Sequence, residues 1–438
     1  MVNYHEALSL IHKAALATRL SIEKIGLLES VGRVCAVHIV SPEAVPPFAN
    51  SSMDGFALRS ILTINVNQEN PLRFKVIGSL AAGDAPPLER HDMSGAWEIM
   101  TGAAFPEGYD ASVKIEDVIV TRDAAGNAVE IEIKEPLKYR QNWRGPGEDF
   151  QIGSAVVAKG TVIMPEHVLA LATLGVSEVQ VYRRVKVGII STGKELVSMC
   201  EKITLGQIRN STAPYLLAAL KNMGAEAVHL GTVGDEPEAF QALLKTALSS
   251  NRFDVLFTTG AVSVGKFDFV TSSVAQLGAE IYFHNTAIRP GKPLLFARFQ
   301  NGPVLFGLPG NPVSGVVSLR FFFDSFLRAV QNQNPEMPIK AYLSEPIRKP
   351  EGLRCFFKSR ITSGVSSQST VQTTILHGQA SFMVSPLLAA NAWTVLSEED
   401  RVISAGALVD VYPLYSQPYD WQPTVNRGLN ANTYGGCC

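Results

Sequence analysis

A chain of 438 residues is longer than one hydrophobic core usually organises, so roughly two to four domains are expected. Hydrophobic residues at 46% against charged residues at 18% describe a globular chain. A formal net charge of -2 excludes a global electrostatic attraction to nucleic acid or to an anionic membrane, so any bound anion has to be held by local groups.

The opening residues, MVNYHEALSLIHKAALATRLS, set Ala7, Leu8, Leu10, Ile11, Ala14 and Ala15 at helical spacing with His and Lys between them, unlike a secretory signal. No apolar run of about 18 residues follows, so no membrane span is expected. Cys35, Cys200 and Cys355 are scattered and Cys437 and Cys438 end the chain, which matches neither a disulfide framework nor zinc-ligand spacing and suits a reducing, cytoplasmic compartment.

The pattern reads as helical from about Glu6 to Val40 and breaks at SPEAVPPFANSSMDGFALRS, with its prolines and Asp-Gly pair. Residues 46–140 read as short strands such as LRFKVIG and VEIEIKEPL, a small β domain. A helix is expected from about Glu166 to Leu174, ended by Gly175, and its segment is expected to return to the N-terminal helices. The β domain would then be an insertion at 46–140 in a discontinuous N-terminal domain of residues 1–45 and 141–183.

From Lys186 buried strands alternate with amphipathic helices. KVGIIS, EAVHLGTV, DVLFTTG, PLLFARF and PVLFGLP are the strands, and helices are expected near 213–222, 236–249, 268–277 and 312–329. This alternation predicts a mostly parallel sheet with helices on both faces, a three-layer α/β domain at 184–331. EGLRCFFKSRI, TVQTTIL, TVLS and LVDVYPL then predict a small C-terminal β domain at 336–415, and the Pro- and Gly-rich segment 416–438 reads as a flexible tail.

In an open parallel sheet, ligands bind outside the carboxyl ends of the strands. The loops expected there are STGKEL, VGDEPE, TGAVSVGKFD and GLPGNPVS, rich in Gly, Ser, Thr, Asn and carboxylates. Gly260 and Gly265 would let backbone approach a ligand, and the helix starts near Asp268 and after Asn311-Pro312 would offer amide groups to phosphate, those ahead of Ser314 being unsatisfied. Glu195, Asp235, Glu236 and Asp268 gather carboxylates beside these seats, an arrangement suited to magnesium bridging them to phosphate. RPGKP brings the cations Arg289 and Lys292 close together in a turn made rigid by Pro290 and Pro293, with Arg298 nearby in sequence. Asp54 of NSSMDG, Thr101 of IMTGAAFPEG and Asp149 of GEDF read, by spacing alone, as ordinary turn residues.

Taken together and in order, VPPFANSSMDGFA, EIMTGAAFPEGYDA, GPGEDF, STGKEL, GQIRNS, GDEPE, TGAVSVGKFD, RPGKP and GLPGNPVS resemble the molybdopterin molybdenumtransferase family, which includes the E domain of gephyrin. The resemblance runs from the N-terminal helices to about Leu414. It implies four domains and an elongated homodimer, with Asp54, Thr101 and Asp149 of one chain facing Glu195, Asp235, Asp268, Arg289 and Lys292 of its partner. It implies a reaction in which molybdate cleaves the phosphoanhydride of adenylylated molybdopterin, releasing AMP and leaving molybdenum on the dithiolene sulfurs. By the same resemblance Glu195, Asp235 and Asp268 would hold Mg(2+). Gly260, Ser263, Gly265, Arg289, Lys292, Pro309, Gly310 and Asn311 would hold molybdopterin and its phosphate, and Arg298 and Ser314 are the molybdate candidates. A molybdopterin adenylyltransferase would act upstream, and molybdoenzymes or cofactor carriers downstream.

The chain departs from the family pattern at Ala49, where Asp is common, at Ala261, which replaces a second glycine, at Thr212, where Asn is frequent, and at Lys266, where an acid is common. Arg289 stands for a frequent Lys and Lys358 for a typical Arg. These departures keep open a degenerate paralogue that binds molybdopterin or a partner without efficient insertion. An adenylyltransferase is the other alternative, against which the MDG and MTGA segments argue.

Overall fold

The computed structural model describes residues 1–86, 93–262, 269–363 and 371–416. Two compact units emerge from the contacts. One takes Met1–Val37, Lys159–Met164 and the chain from Glu178 onward, and the other takes His38–Ala158 and Pro165–Ser177.

The larger unit begins with the helix Tyr4–Leu16. Asn3 caps it, its side chain accepting from Glu6 N at 2.8 Å while Glu6 Oε2 accepts from Asn3 N at 2.9 Å. Such a reciprocal box stabilises a helix start by about 1 kcal/mol. Tyr4, Ala7, Ile11, Ala14 and Ala15 make the buried stripe and join the core of the central sheet. The helix does not continue to Val40 as its apolar spacing suggests. The Thr18 hydroxyl donates to Ala14 O, and Ile22–Gly26 then forms a strand paired antiparallel with Glu178–Tyr182, a partner more than 150 residues away.

Six strands form the central sheet, in the order Glu226–Val233, Lys186–Thr192, Val255–Thr259, Val304–Leu308, Leu295–Phe299, Ala279–His284. The first four run parallel, and Leu295–Phe299 is antiparallel to both its neighbours. Val255–Thr259 and Val304–Leu308 are buried at every residue, which is why their sequences are continuously apolar or Thr. Tyr4–Leu16, Thr212–Asn222 and the helical segment from Pro312 share one apolar core with the sheet, while Pro237–Ser249 and Val270–Gln276 share another. The fold is the three-layer, mostly parallel α/β arrangement. The edge strand Ala279–His284 has no counterpart among the expected strands.

The expected single helix over 312–329 is three pieces: Pro312–Ser318, a π-helical turn Leu319–Phe323, and Asp324–Val330. The wide turn carries Arg320, 5% exposed, whose guanidinium makes a bidentate pair with Glu336 at 2.7 and 2.8 Å. Arg320 also lies 3.8 Å from the buried Asp324, so one cation on this turn faces two acids.

Beyond it, Arg354–Ser363, Val371–Ile375, Ile339–Leu343, Leu408–Pro413 and Ala392–Leu396 pair in turn, and the last pairs back with the first, closing a small barrel. Lys358 is fully buried at this closure, its ammonium donating to Met383 O at 3.0 Å and Ala380 O at 3.3 Å.

The smaller unit holds a six-stranded sheet in the order Ala111–Lys114, Gly55–Leu58, Ala96–Ile99, Leu72–Leu80, Ala128–Ile133, Ile119–Arg122. Strand alternation sends Phe56 and Leu58 into one apolar cluster and Ala57 into another with Trp97 and Ile99. The helix Pro165–Thr173 also belongs to this unit. Among the described residues, no helix is long and apolar enough to cross a membrane.

Candidate functional site

In the α/β unit, a cavity of about 620 Å³ opens where the parallel strands end. Thr192, Gly193 and Glu195 reach it from the end of Lys186–Thr192, Asp235 from that of Glu226–Val233, Thr259, Gly260, Ala261 and Val262 from the third strand, and Pro309, Gly310, Asn311 and Pro312 from the fourth. Leu196, Ile208–Thr212 and Pro293 complete the lining among the described residues. This is the crevice that the carboxyl ends of a parallel sheet create. Glu195, Asp235, Gly260, Pro309, Gly310 and Asn311 therefore come together. Ser263, Gly265 and Asp268, with Lys266, lie outside the described residues, as does the segment 417–438.

The floor is built by close backbone approach. Gly260 has φ +88, and its amide donates to Leu308 O at 3.0 Å, tying the third strand's loop to the fourth strand's end. A Cβ at Gly260 would lie 2.5 Å from Thr192 O and 2.8 Å from Thr192 Oγ1, so only glycine fits. That Thr192 hydroxyl donates to Thr259 O at 3.0 Å. Ala261, the next residue, holds φ +50, a left-handed conformation that a side chain rarely adopts.

The two carboxylates lining the cavity come from different loops. Glu195 folds back over Gly193, where a Cβ would meet its Oε1 at 2.6 Å, and Asp235 is half-buried before the helix Pro237–Ser249. Two carboxylates beside hydroxyls and open glycine backbone make an oxygen donor set of the kind that suits a hard cation. Among the described residues, no group of three or more His, Cys, Asp or Glu is placed to hold a metal ion.

The helix start at Asn311-Pro312 differs from its expected role. Asn311 is the N-cap and Pro312 opens the helix, but the amide groups ahead are not free. Val313 N donates to Ser381 O at 3.0 Å, and Ser314 N and Gly315 N donate to Asn311 O at 3.1 and 3.2 Å. Ser381 arrives from a loop of the barrel, and its carbonyl occupies the place expected for an anion.

The expected cations are also separated from the cavity lining. Arg289 and Lys292 are exposed on a turn whose Pro293 alone reaches the cavity. Ile288–Arg289 pairs with Arg354–Cys355, and Lys292 O accepts from Thr286 N and Leu294 N. Arg298 donates to Ala14 O at 2.8 Å and Ala17 O at 3.0 Å, so its charge sits on the C-terminal carbonyls of the first helix. Ser314 is 4% exposed and does not line the cavity.

Asn210, within GQIRNS, has no role legible from spacing, yet it joins three elements of the site. Its Nδ2 donates to Ser191 Oγ at 2.9 Å and reaches Thr232 Oγ1 at 3.4 Å, and its Oδ1 accepts from Ala213 N at 3.1 Å. Ser191 Oγ in turn lies 3.3 Å from His229 Nε2, and burial lowers the pKa of His229. The signal available in sequence was an Asn one residue before a helix-start Ser, a local capping pattern that carries no information on its strand partners. Thr212, at the family's frequent Asn position, is buried, and its methyl is 3.5 Å from where a Cβ on Gly315 would stand.

In the smaller unit the MDG turn and the MTGA loop meet. Thr101 donates from both N, at 2.7 Å, and Oγ1, at 2.8 Å, to Asp54 Oδ1. The backbone bond first, then the hydroxyl, hold the exposed Asp54 carboxyl below the ordinary range. Gly55 is fixed by crowding, because a Cβ there would stand 1.9 Å from Val113 O. Asp149 is exposed on a turn tied by Asp149 N to Val45 O at 2.9 Å and Gly147 N to Pro46 O at 2.9 Å. Ala49 packs at the edge of the apolar cluster of Trp97 and Phe105.

Residues 2–175 match the model of the MoeA N-terminal region (domain I and II), 188–329 that of a probable molybdopterin binding domain, and 340–414 that of the MoeA C-terminal region (domain IV). A Synechococcus elongatus protein named molybdopterin molybdenumtransferase is 37% identical over 416 residues, covering 94% of this chain and 100% of its own length. A Bacillus subtilis protein of the same name is 34% identical over 392 residues, 89% of each chain. The crystal structure of the molybdopterin biosynthesis moeA protein from Pyrococcus horikoshii OT3 superposes with a TM-score of 0.79 at 28% identity, covering 94% of this chain and 99% of that one.

Proposed function

The chain belongs to the molybdopterin molybdenumtransferase family and acts as such a transferase in molybdenum cofactor biosynthesis, and from this we infer that it inserts molybdate into adenylylated molybdopterin with release of AMP. One observation carries the inference to this chain's own residues: a single cavity at the ends of the parallel strands combines glycines, which leave room beside the backbone, with carboxylates from two loops. Such a cavity admits a phosphate-bearing ligand to backbone, and it needs a cation between that ligand and the acids.

Glu195 and Asp235, with Asp268, are the residues that would hold magnesium. When bound, magnesium neutralises charge on the phosphoanhydride oxygens. Gly260 and the Pro309–Asn311 loop seat the pterin phosphate, with Ser263 and Gly265 from the same third loop. Arg289 and Lys292 serve the outer edge of that seat, Ser314 supports the Asn311 turn, and Arg298 holds the first helix rather than an oxyanion. Phosphoanhydride cleavage releases AMP, and molybdenum is left on the dithiolene sulfurs.

The working form is a homodimer, in which Asp54, Thr101 and Asp149 serve the cavity of the partner chain. The hydrogen-bonded Asp54 stays ionised and oriented for that role. The enzyme works in the cytoplasm, between a molybdopterin adenylyltransferase and the molybdoenzymes or carriers that accept the cofactor. Ala261 at positive φ favours the second reading, a paralogue with inefficient insertion.

Purified protein incubated with adenylylated molybdopterin, magnesium and molybdate is expected to release AMP and yield mature cofactor. Absence of molybdate-dependent AMP release, where a known insertase works, overturns the insertion reading and leaves the paralogue.

A further inference from the structure

We propose that Arg209 is a substrate-binding residue of this cavity, the cation that meets the phosphate of the pterin substrate; the proposal rests on the function inferred above. Among the described residues lining the cavity, Glu195 and Asp235 are the acids and Arg209 is the one cation. An anionic ligand entering opposite two carboxylates needs a compensating charge at short range, because exposed charges more than about 10 Å away are screened. The cations expected from RPGKP do not line the cavity, and Arg298 is committed to Ala14 O and Ala17 O.

The backbone under Arg209 is fixed to the rest of the site. Leu196–Val197 and Ile208–Arg209 form a short parallel ribbon, with Ile208 N donating to Glu195 O at 2.9 Å and Asn210 N to Val197 O at 2.9 Å. Arg209 and Glu195 are thus carried by one ribbon. Asn210, 8% exposed, locks its end onto Ser191 of the strand Lys186–Thr192 and onto the start of the helix Thr212–Asn222. Among the described residues, the guanidinium makes a single hydrogen bond, from Nη2 to Glu201 O at 3.2 Å. A guanidinium carries five N–H donors, so most of this one remains available to a phosphate, which it can grip with two parallel bonds. An anchored backbone and a place on the cavity lining distinguish Arg209 from an ordinary solvated surface arginine.

The test compares wild type, Arg209→Gln and Arg209→Lys by direct binding of molybdopterin and of adenylylated molybdopterin, together with molybdate-dependent AMP release. Losing a charge-assisted phosphate contact is expected to weaken binding about tenfold or more. Lys restores only part, since it supplies a point charge without the planar fork. The thermal midpoint should not move, because the side chain is exposed. KM for the adenylylated substrate should rise in the Gln variant more than kcat falls. Equal pterin binding by wild type and Arg209→Gln overturns this proposal alone. A wild type that binds both pterins, with Arg209→Gln weaker, but releases no AMP supports the role of Arg209 while overturning the insertion reading. A wild type that binds neither overturns both.

Discussion

Gly260→Ala tests whether the cavity floor is held by backbone contact. The added methyl would stand 2.5 Å from Thr192 O and 2.8 Å from Thr192 Oγ1, and the residue would keep φ +88. Left-handed backbone costs a side-chain-bearing residue about 1–2 kcal/mol. Overpacking against fixed atoms costs a further ~1–3 kcal/mol, and Thr192 is 3% exposed and bonded to Thr259 O, so it has little room to yield. The sum is a destabilisation of about 2–5 kcal/mol, or roughly 5–15 °C in the thermal midpoint of a unit this size. The neighbouring Ala261→Gly is the internal control. It relieves backbone strain of about 1–2 kcal/mol, offset by about 0.4–1 kcal/mol of unfolded-state entropy and by the loss of a partly buried methyl, so its net effect stays within about 1 kcal/mol. Differential scanning calorimetry of both variants, with AMP release measured alongside, checks the contrast. A Gly260→Ala protein that melts within about 2 °C of wild type would refute the close-approach argument, and with it the view that the third and fourth strand ends are locked together.

Thr101→Val removes the hydroxyl bond to Asp54 Oδ1 and keeps the larger backbone one, so the Asp54 midpoint, followed by carboxyl NMR, should rise part of the way to its ordinary range. Because the folded value is depressed, the pairing is fully present above the unfolded carboxyl range and fades as pH falls through the folded value; an unchanged midpoint in the variant contradicts the assignment. Arg320→Ala removes a buried cation from between the partly buried Glu336 and the buried Asp324 and should cost about 3–5 kcal/mol in urea denaturation, a loss under about 1 kcal/mol being incompatible with the pairing. Burial lowers the pKa of His229, so the unfolded chain takes up that proton first and stability should decline as pH falls below about 6.5. His229→Gln should flatten this slope between about pH 7 and 5, and an identical slope in the variant removes His229 as its source.

The central sheet was legible in the sequence because burial on both faces makes a strand continuously apolar, as Val255–Thr259 shows, and because the loops that follow such strands must share one edge. What the sequence concealed depended on distant partners. Ile22–Gly26 continues an apolar spacing that suits a helix, and only pairing with Glu178–Tyr182 makes it a strand. Arg298 looked like an anion-binding cation because its carbonyl partners, Ala14 and Ala17, lie about 280 residues earlier. The same limitation explains GNPVS. Asn-Pro announces a helix start and therefore a set of unsatisfied amides, but sequence counts donors and cannot count the acceptors that reach them. Here Ser381 O takes Val313 N, and Asn311 O takes the next two. Those three amides are thereby taken by carbonyls, whereas Arg209, on the Ile208–Arg209 ribbon that lines the same cavity, keeps most of its donors uncommitted.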